Sequence, residues 1–258
     1  MRKVVLHDKS DFESMRKAGN LAKRTLCHAI NSVKCGITTN EINRIVHDFI
    51  LSHGGIPAPL NYRGFPKSVC TSINHVVCHG IPDETILKDG DIINVDVTVI
   101  LDGWHGDTSI TVLVKDELSD ENAQKYEKQN RIMDITKRAL EIGIDAVKPG
   151  CTTGDLGYAI QSFVESNGYS VVRDFCGHGI GRKFHDFPEI RHFGTPKTGV
   201  QILPGMFFTI EPMVNESSCE VKILQDGWTV VTRDGMLSAQ YEHTIGVNFD
   251  GSVVIFTE

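Results

Sequence analysis

Val33-Lys34-Cys35-Gly36-Ile37-Thr38-Thr39 returns as Val147-Lys148-Pro149-Gly150-Cys151-Thr152-Thr153, at an offset of 114 residues. Ser52-His53-Gly54 recurs as Ser166-Asn167-Gly168 at the same offset. Gly90-Asp91-Ile92-Ile93-Asn94-Val95-Asp96 recurs as Gly205-Met206-Phe207-Phe208-Thr209-Ile210-Glu211 at 115. A looser echo, at 135, relates Asp107-Thr108-Ser109-Ile110 to Glu242-His243-Thr244-Ile245. The chain therefore reads as two related halves, about residues 10–114 and 119–256, each supplying two carboxylates. Pairing the halves about a pseudo-two-fold axis brings four acids to the middle of one intertwined unit. The 258 residues are accordingly expected to form a single catalytic domain.

Local patterning gives both halves the same plan. Ser10-Asp11-Phe12-Glu13 has the spacing of a capping box, and Met15, Ala18, Ala22, Leu26, Ile30 and Val33 follow every three or four residues, predicting a helix of about twenty residues. Thr38-Thr39-Asn40-Glu41 caps a second helix with Ile42, Ile45, Val46, Phe49 and Ile50 on one face, ending at Gly54-Gly55. In the second half Ser119 caps a long helix through Ala139 and Ile144, and Thr152-Thr153-Gly154-Asp155 caps a shorter one that stops near Gly168. Runs rich in Val, Ile and Phe predict strands at roughly 91–101, 107–114, 170–176, 205–213, 228–232, 240–248 and 252–257. Helices supplied in pairs, rather than as single crossovers, predict an α+β fold: a mostly antiparallel sheet covered by helices.

Composition narrows the function. A net charge of −7 with no Lys/Arg-rich run argues against a polyanion-binding surface, hence against DNA as a partner. Seven scattered cysteines, odd in number and without a Cys-x-x-Cys pair, read as reduced thiols in a cytosol. The N-terminus turns polar too soon for a signal-peptide core, and no apolar run approaches the roughly 18 residues that span a bilayer. A cytoplasmic protein that engages no membrane is expected.

In Ile93-Asn94-Val95-Asp96-Val97-Thr98-Val99, alternation puts Asn94, Asp96 and Thr98 on one face of a strand. Taken alone, that is a sheet with one solvated face, and Glu211 and Glu242 carry the same ambiguity. The repeat tips the balance, because independent surface acids have no reason to recur at matched places. Four converging carboxylates without cations would repel one another and resist desolvation, and bound metal is the simplest remedy. Two divalent ions about 3.5 to 4 Å apart can acidify a shared water. A neutral donor is available in Cys176-Gly177-His178-Gly179-Ile180-Gly181-Arg182, and Val77-Cys78-His79-Gly80-Ile81-Pro82 presents His79 in a comparable setting. His185 lies one short segment beyond His178, and spacing alone leaves its orientation open.

Ser68-Val69-Cys70-Thr71-Ser72-Ile73-Asn74, Val77-Cys78-His79-Gly80-Ile81-Pro82, Asp96-Val97-Thr98, Gly106-Asp107-Thr108, Cys176-Gly177-His178-Gly179-Ile180-Gly181, Thr209-Ile210-Glu211-Pro212 and Ser238-Ala239-Gln240-Tyr241-Glu242-His243-Thr244 together resemble type I methionine aminopeptidase, in the bacterial form without an N-terminal extension. The likeness runs from about residue 10 to 256 and implies the pita-bread (creatinase/aminopeptidase) fold, in agreement with the repeat. It implies a hydrolase that removes N-terminal methionine from nascent polypeptides. Five metal ligands follow from it: Asp96, Asp107, His178, Glu211 and Glu242, with Asp107 and Glu242 bridging two divalent ions (Co, Mn, Fe or Zn). An oxygen-rich donor set favours Mn(II), Fe(II) or Co(II). Glu211 would act as general base and acid, and His79 and His185 would hydrogen-bond the scissile amide. Tyr62, Phe65, Cys70, Phe184 and Trp228 would line an apolar methionine pocket, whose aromatic edges and thiol suit a thioether. A monovalent cation (Na or K) is implied near Asn74, Val76 and Ser238. The implied setting is a cytoplasmic monomer working at the ribosome surface.

The chain departs from the bacterial pattern at Pro59, Arg63 and Phe187, around the pocket rim and mouth. Two rivals are a proline-directed peptidase of the same fold, expected to carry a large extra N-terminal domain, and a non-catalytic binding protein, expected to have lost ligands. A type II methionine aminopeptidase would need a helical insertion between Glu211 and Glu242, an interval of 31 residues.

Overall fold

A computed structural model describes residues 3–116 and 123–258. Each half opens with a helix pair: α1 (Lys9–Ile30) and α2 (Thr39–Ser52), then α3 (Glu127–Asp145) and α4 (Thr153–Ser166). The second helix of each pair has 14 residues and the expected box, Thr38 with Glu41 and Thr152 with Asp155. The first pair starts differently from the expectation. The α1 cap is Asp8, two residues before Ser10, and its box closes on Asp11. The Asp8 carboxylate accepts from the Ser10 and Asp11 amides at 2.8 and 3.1 Å, while the Ser10 hydroxyl is itself spent donating to Asp8. The cap expected at Ser119 lies outside the described residues; α3 follows a 3-10 turn at Ala123–Tyr126. Gly36 and Gly150 both hold φ near +87° (88° and 87°), a conformation open to glycine without a Cβ penalty.

A nine-stranded sheet crosses both halves. Its main path runs Ile56–Pro57, Ile92–Leu101, Trp104–Leu113, Glu242–Val247, Phe207–Ile210, Gly177–Gly179, Asp186–Ile190, with Cys70–Ile73 added beside Ile92–Leu101 and Val253–Ile255 beside Glu242–Val247. Every pairing in it is antiparallel. The first-half hairpin turns on Asp102-Gly103, both with positive φ (51° and 77°), the arrangement that suits a two-residue hairpin loop. Helices cover one face. Leu21, Ile42, Val46 and Ile50 pack on Val95, Val97 and Val99 in one core, and Leu140, Leu156, Ile160 and Val164 pack on Phe208, Ile210 and Ile245 in another. At Gly106 a Cβ would lie 2.5 Å from the Ala18 carbonyl oxygen, so the hairpin and the α1 backbone are in direct contact.

The halves meet where Trp104–Leu113 adjoins Glu242–Val247, in the register Glu242↔Ser109 and His243↔Thr108. Threonines stitch this seam. Thr244 Oγ1 accepts the Asp107 amide at 3.1 Å and donates to the Asp107 carbonyl at 2.7 Å. Thr108 donates to the Glu242 carbonyl at 2.8 Å and Thr111 to the Gln240 carbonyl at 2.7 Å.

Two strands expected to be continuous are broken. The 205–213 run splits into Phe207–Ile210 and Met213–Asn215, and the 240–248 run into Ser238–Gln240 and Glu242–Val247. Pro212 has no amide to give the ladder, and past it the chain joins a separate three-stranded sheet with Ser238–Gln240 and Ser170–Val171. The 170–176 expectation shrinks to that last pair. A third small sheet joins Val221–Ile223, Val230–Thr232 and Val76–Cys78. All seven cysteines are free. No helix among the described residues is long and apolar enough to cross a membrane.

Candidate functional site

Five neighbouring strands of the large sheet each deliver one of the polar residues singled out in the sequence. In sheet order these are Asp96, Asp107, Glu242, Glu211 (one residue past Ile210) and His178. Asp96 and Glu242 both face Ser109 across the ladder, and Asp107 faces Thr98. Directly opposed residues share a face, so one face collects all three acids. His178 Nε2 stands 3.7 Å from Asp107 Oδ2 and 3.7 Å from Glu211 Oε1. Ligand atoms of Asp107, His178 and Glu242 all lie within 4.8 Å of one another. The solvated-face alternative for this strand does not hold: Asn94 and Thr98 are buried at 3% and 1% exposure, and Asn94 Nδ2 donates to the Gln240 carbonyl of a small-sheet strand at 2.9 Å.

Burial pushes all four carboxyls above their ordinary range, and for Asp107 and Glu242 the neighbouring acids push further in the same direction. Burial also lowers His178, to about 4, which leaves it neutral at physiological pH. Among the described residues no Lys or Arg forms an ion pair with any of the four acids. Two buried and two half-buried carboxyls around a neutral imidazole, with no Lys or Arg paired to them among the described residues, form a donor set that fits divalent metal of the hard-to-borderline kind.

A supporting layer holds these groups in place, and sequence reasoning found little of it. Thr98 donates to Asp107 Oδ1 at 2.7 Å. Thr209 donates to Glu211 Oε1 at 2.7 Å while accepting the His178 amide at 3.0 Å, so one hydroxyl ties two donors together. Gln240 Nε2 donates to Glu211 Oε2 at 3.2 Å, and the Glu211 amide donates to Nε2 of the fully buried His192 at 3.0 Å. Strand alternation flags Thr98, and Thr209 stands two residues before Glu211 on its strand. Nothing local in the sequence marks His192.

All twelve side chains singled out from the sequence line one cleft of 320 Å³. Its apolar end is aromatic: Phe65 meets Trp228 edge-on at 5.3 Å, and Tyr62 lies 4.9 Å from Phe184. Cys70 pairs with Asp96 across the ladder and is buried at 6% exposure. Cys78, Phe175, Met213 and Gln240, not singled out beforehand, line it too. His185 bonds the Tyr62 hydroxyl through Nδ1 at 2.9 Å, and its ring lies 4.2 Å from that of His178, which settles the orientation that spacing left open. His79 does not occupy the place equivalent to His178. It follows the Val76–Cys78 strand of a small sheet, takes a left-handed φ of 56°, and stands edge-on to Phe175 and Trp228. Of the three departures, Pro59 and Arg63 line this cleft, while Phe187 lines adjoining grooves.

The profile described as metallopeptidase family M24 matches residues 13–248. The chain belongs to metallopeptidase family M24. As an M24 metallopeptidase it uses divalent metal, and Asp107, His178 and Glu242 form a candidate place for it. It is 54% identical to a methionine aminopeptidase of Rickettsia prowazekii over 96% of this chain and 93% of that protein. It is 50% identical to the methionine aminopeptidase of Escherichia coli K12 over 98% and 93%. The crystal structure of a Rickettsia prowazekii methionine aminopeptidase superimposes with a TM-score of 0.94 at 53% identity, covering 99% of this chain and 100% of that one. This M24 chain has the pita-bread fold, with duplicated halves and an antiparallel sheet covered by helices.

Proposed function

We propose that this chain removes the N-terminal methionine from nascent proteins and peptides by hydrolysing the first peptide bond, with residues 1–258 acting as one catalytic unit. The observation that carries the reading is the juxtaposition in one cleft of a five-residue oxygen-and-nitrogen donor set and an aromatic, thiol-containing pocket. Asp96, Asp107, His178, Glu211 and Glu242 would hold two divalent ions (Co, Mn, Fe or Zn), and an oxygen-rich set with one imidazole points to Mn(II), Fe(II) or Co(II) rather than to a thiolate-type zinc site. Bound metal supplies Lewis acidity toward water and the peptide carbonyl.

The chain's own side chains do the rest. Phe65, Trp228, Tyr62, Phe184 and Cys70 bury the methionine side chain, which orients the first peptide bond against the carboxylates. Glu211, held by Thr209 and Gln240, has a carboxyl raised by burial and takes a proton from water and returns it to the departing amine. His79 and His185 hydrogen-bond the scissile amide. A monovalent ion, Na or K, held by backbone oxygens around Asn74, Val76 and Ser238 belongs to the same reading; the Ser238 amide donates to the Asn74 carbonyl at 2.8 Å, so those segments adjoin. The protein would act as a cytoplasmic monomer near the ribosome surface.

Methionine release from a Met-Ala-Ser peptide tests the reading. It should vanish on chelation and return with Mn(II) or Co(II). Activity that survives chelation would sink the metal assignment, and equal or faster cleavage of an Xaa-Pro dipeptide would move the chain to the proline-directed peptidases of the same fold.

A further inference from the structure

A second groove, of 620 Å³, adjoins the cleft, and Arg63, Cys176, His178 and His185 line both. Its other charged walls are Lys3, Lys183, Asp186 and Glu189. Both acids have local partners: Asp186 pairs with Lys183 at 3.1 Å, and Glu189 with Arg191 at 3.0 Å. Lys3 and Arg63 take part in none of the ion pairs among the described residues. The groove's surplus charge is therefore positive, in a chain whose net charge is −7.

Arg63 is also held in an unusual way. Asn61, Arg63 and Gly64 take φ of 65°, 49° and 91° in a turn closed by the Tyr62 amide on the Pro59 carbonyl and the Phe65 amide on the Tyr62 carbonyl, each at 3.0 Å. Asn adopts the left-handed region readily, whereas Arg63 there is uncommon, and such strain persists where the surroundings impose it, often at binding sites. The turn sets the Arg63 guanidinium 5.3 Å from the centre of the Tyr62 ring, and the Tyr62 hydroxyl is in turn bonded to His185. A long cation is thereby anchored to the wall that separates the cleft from the groove.

We propose that this groove receives the third and fourth residues of the substrate chain, and that Arg63, assisted by Lys3, selects for carboxylate side chains there. The inference rests on the aminopeptidase reading and adds a preference to it. A chain whose first side chain fills the aromatic pocket leaves past His178 and His185, the two histidines that the groove shares with the cleft. In extended backbone, at about 3.3 Å per residue, its third and fourth residues lie roughly 5 to 8 Å beyond the first peptide bond, outside the metal-binding cluster. Among the described residues, the charges lining the groove that have no ion-pair partner are those of Lys3 and Arg63, so an acidic side chain gains there and a basic one is repelled.

Steady-state kinetics of the Mn(II)-loaded protein on Met-Ala-Glu-Glu-Ser, Met-Ala-Gln-Gln-Ser and Met-Ala-Lys-Lys-Ser tests this. At low ionic strength kcat/KM for the glutamate peptide should exceed that for the lysine peptide by about fivefold, mostly through KM, and the ratio should shrink toward one as salt rises to about 0.5 M. Arg63→Gln should collapse the ratio and Arg63→Glu should invert it, with thermal melts confirming that each variant is folded. The salt titration needs no variant and decides the matter should neither fold. Equal kcat/KM for the three peptides in the unaltered protein, or a preference indifferent to salt, would overturn the groove assignment while leaving the aminopeptidase reading intact. No methionine release from any of the three would overturn that reading and this one with it.

Discussion

The two halves share their scaffold and differ in how they connect the strands that carry the acids. In the first half, Ile92–Leu101 and Trp104–Leu113 are joined by a two-residue turn, and Asp96 and Asp107 sit in the middle of the ladder. In the second, Phe207–Ile210 and Glu242–Val247 are separated by 31 residues from Glu211 to Glu242, and that excursion builds two small sheets. Met213, Trp228 and Gln240 all come from it. The offset between halves grows from 115 to 135 across the same interval, so the extra length coincides with the pocket wall. One half thus contributes a closely joined pair of carboxylates with Tyr62, Phe65 and Cys70, and the other contributes its pair together with Met213, Trp228 and Gln240 on the facing part of the cleft lining.

The largest effect should come from treating the counterpart acids Asp96 and Glu211 alike. Glu211→Gln should lower kcat by about 10²- to 10⁴-fold, the range for losing a general base, and added Mn(II) should not restore it. Asp96→Asn should lose activity that excess Mn(II) partly recovers. If metal rescues both equally, the proton-carrying role assigned to Glu211 is wrong. Next, Thr209→Val should reduce kcat or metal affinity by about tenfold or more, on the scale seen when a group supporting a metal ligand is removed. Thr98→Val, which frees one ligand rather than two, should cost less, and the reverse order in a metal titration would refute the tie between His178 and Glu211.

Packing offers a comparison of intermediate size. Gly106→Ala should destabilise by about 1 to 3 kcal/mol in urea unfolding, because its Cβ meets rigid α1 backbone. Gly143→Ala in α3 meets Ile160 and Ile210 side-chain atoms rather than backbone and gains helix propensity, so it should cost less. The smallest effect should be the most symmetric. Thr38→Ala and Thr152→Ala each remove one capping box and should cost about 1 kcal/mol apiece. A loss at one cap alone would show that the helix pairs are not energetically equivalent.

What could be read in advance follows the range of the forces involved. Thr38 with Glu41 and Thr152 with Asp155 are local signals three residues apart, and both caps form as expected. At α1 the box that Ser10 suggests and the one that Asp8 forms compete within the same turn, and the Asp8 box closes. Asp96 and Asp107 were legible as a repeat, but their burial was not, since the cover comes from strands far along the chain. Glu211 and Glu242 lie at or beside breaks in strands that hydrophobic patterning ran together. Periodicity cannot show where a strand changes partners, although Pro212 was a visible warning. Tyr62, Phe65 and Trp228 entered only through the family likeness, because an aromatic residue is core by default. His192 is tied to the site by a long-range bond from the Glu211 amide, and no pattern in the sequence encodes it.

The threonine seam has a consequence for precision. Asp107 lies on one side of it and Glu242 on the other, so the alignment of the two strands is also the gauge of the gap between two carboxylates. Slipping that alignment by a single residue would shift Glu242 by about 3.3 Å and turn it to the opposite face. Hydroxyls from Thr108, Thr111 and Thr244 key the strands to one setting, so the join between the two repeats works as a fixed ruler for the spacing of Asp107 and Glu242.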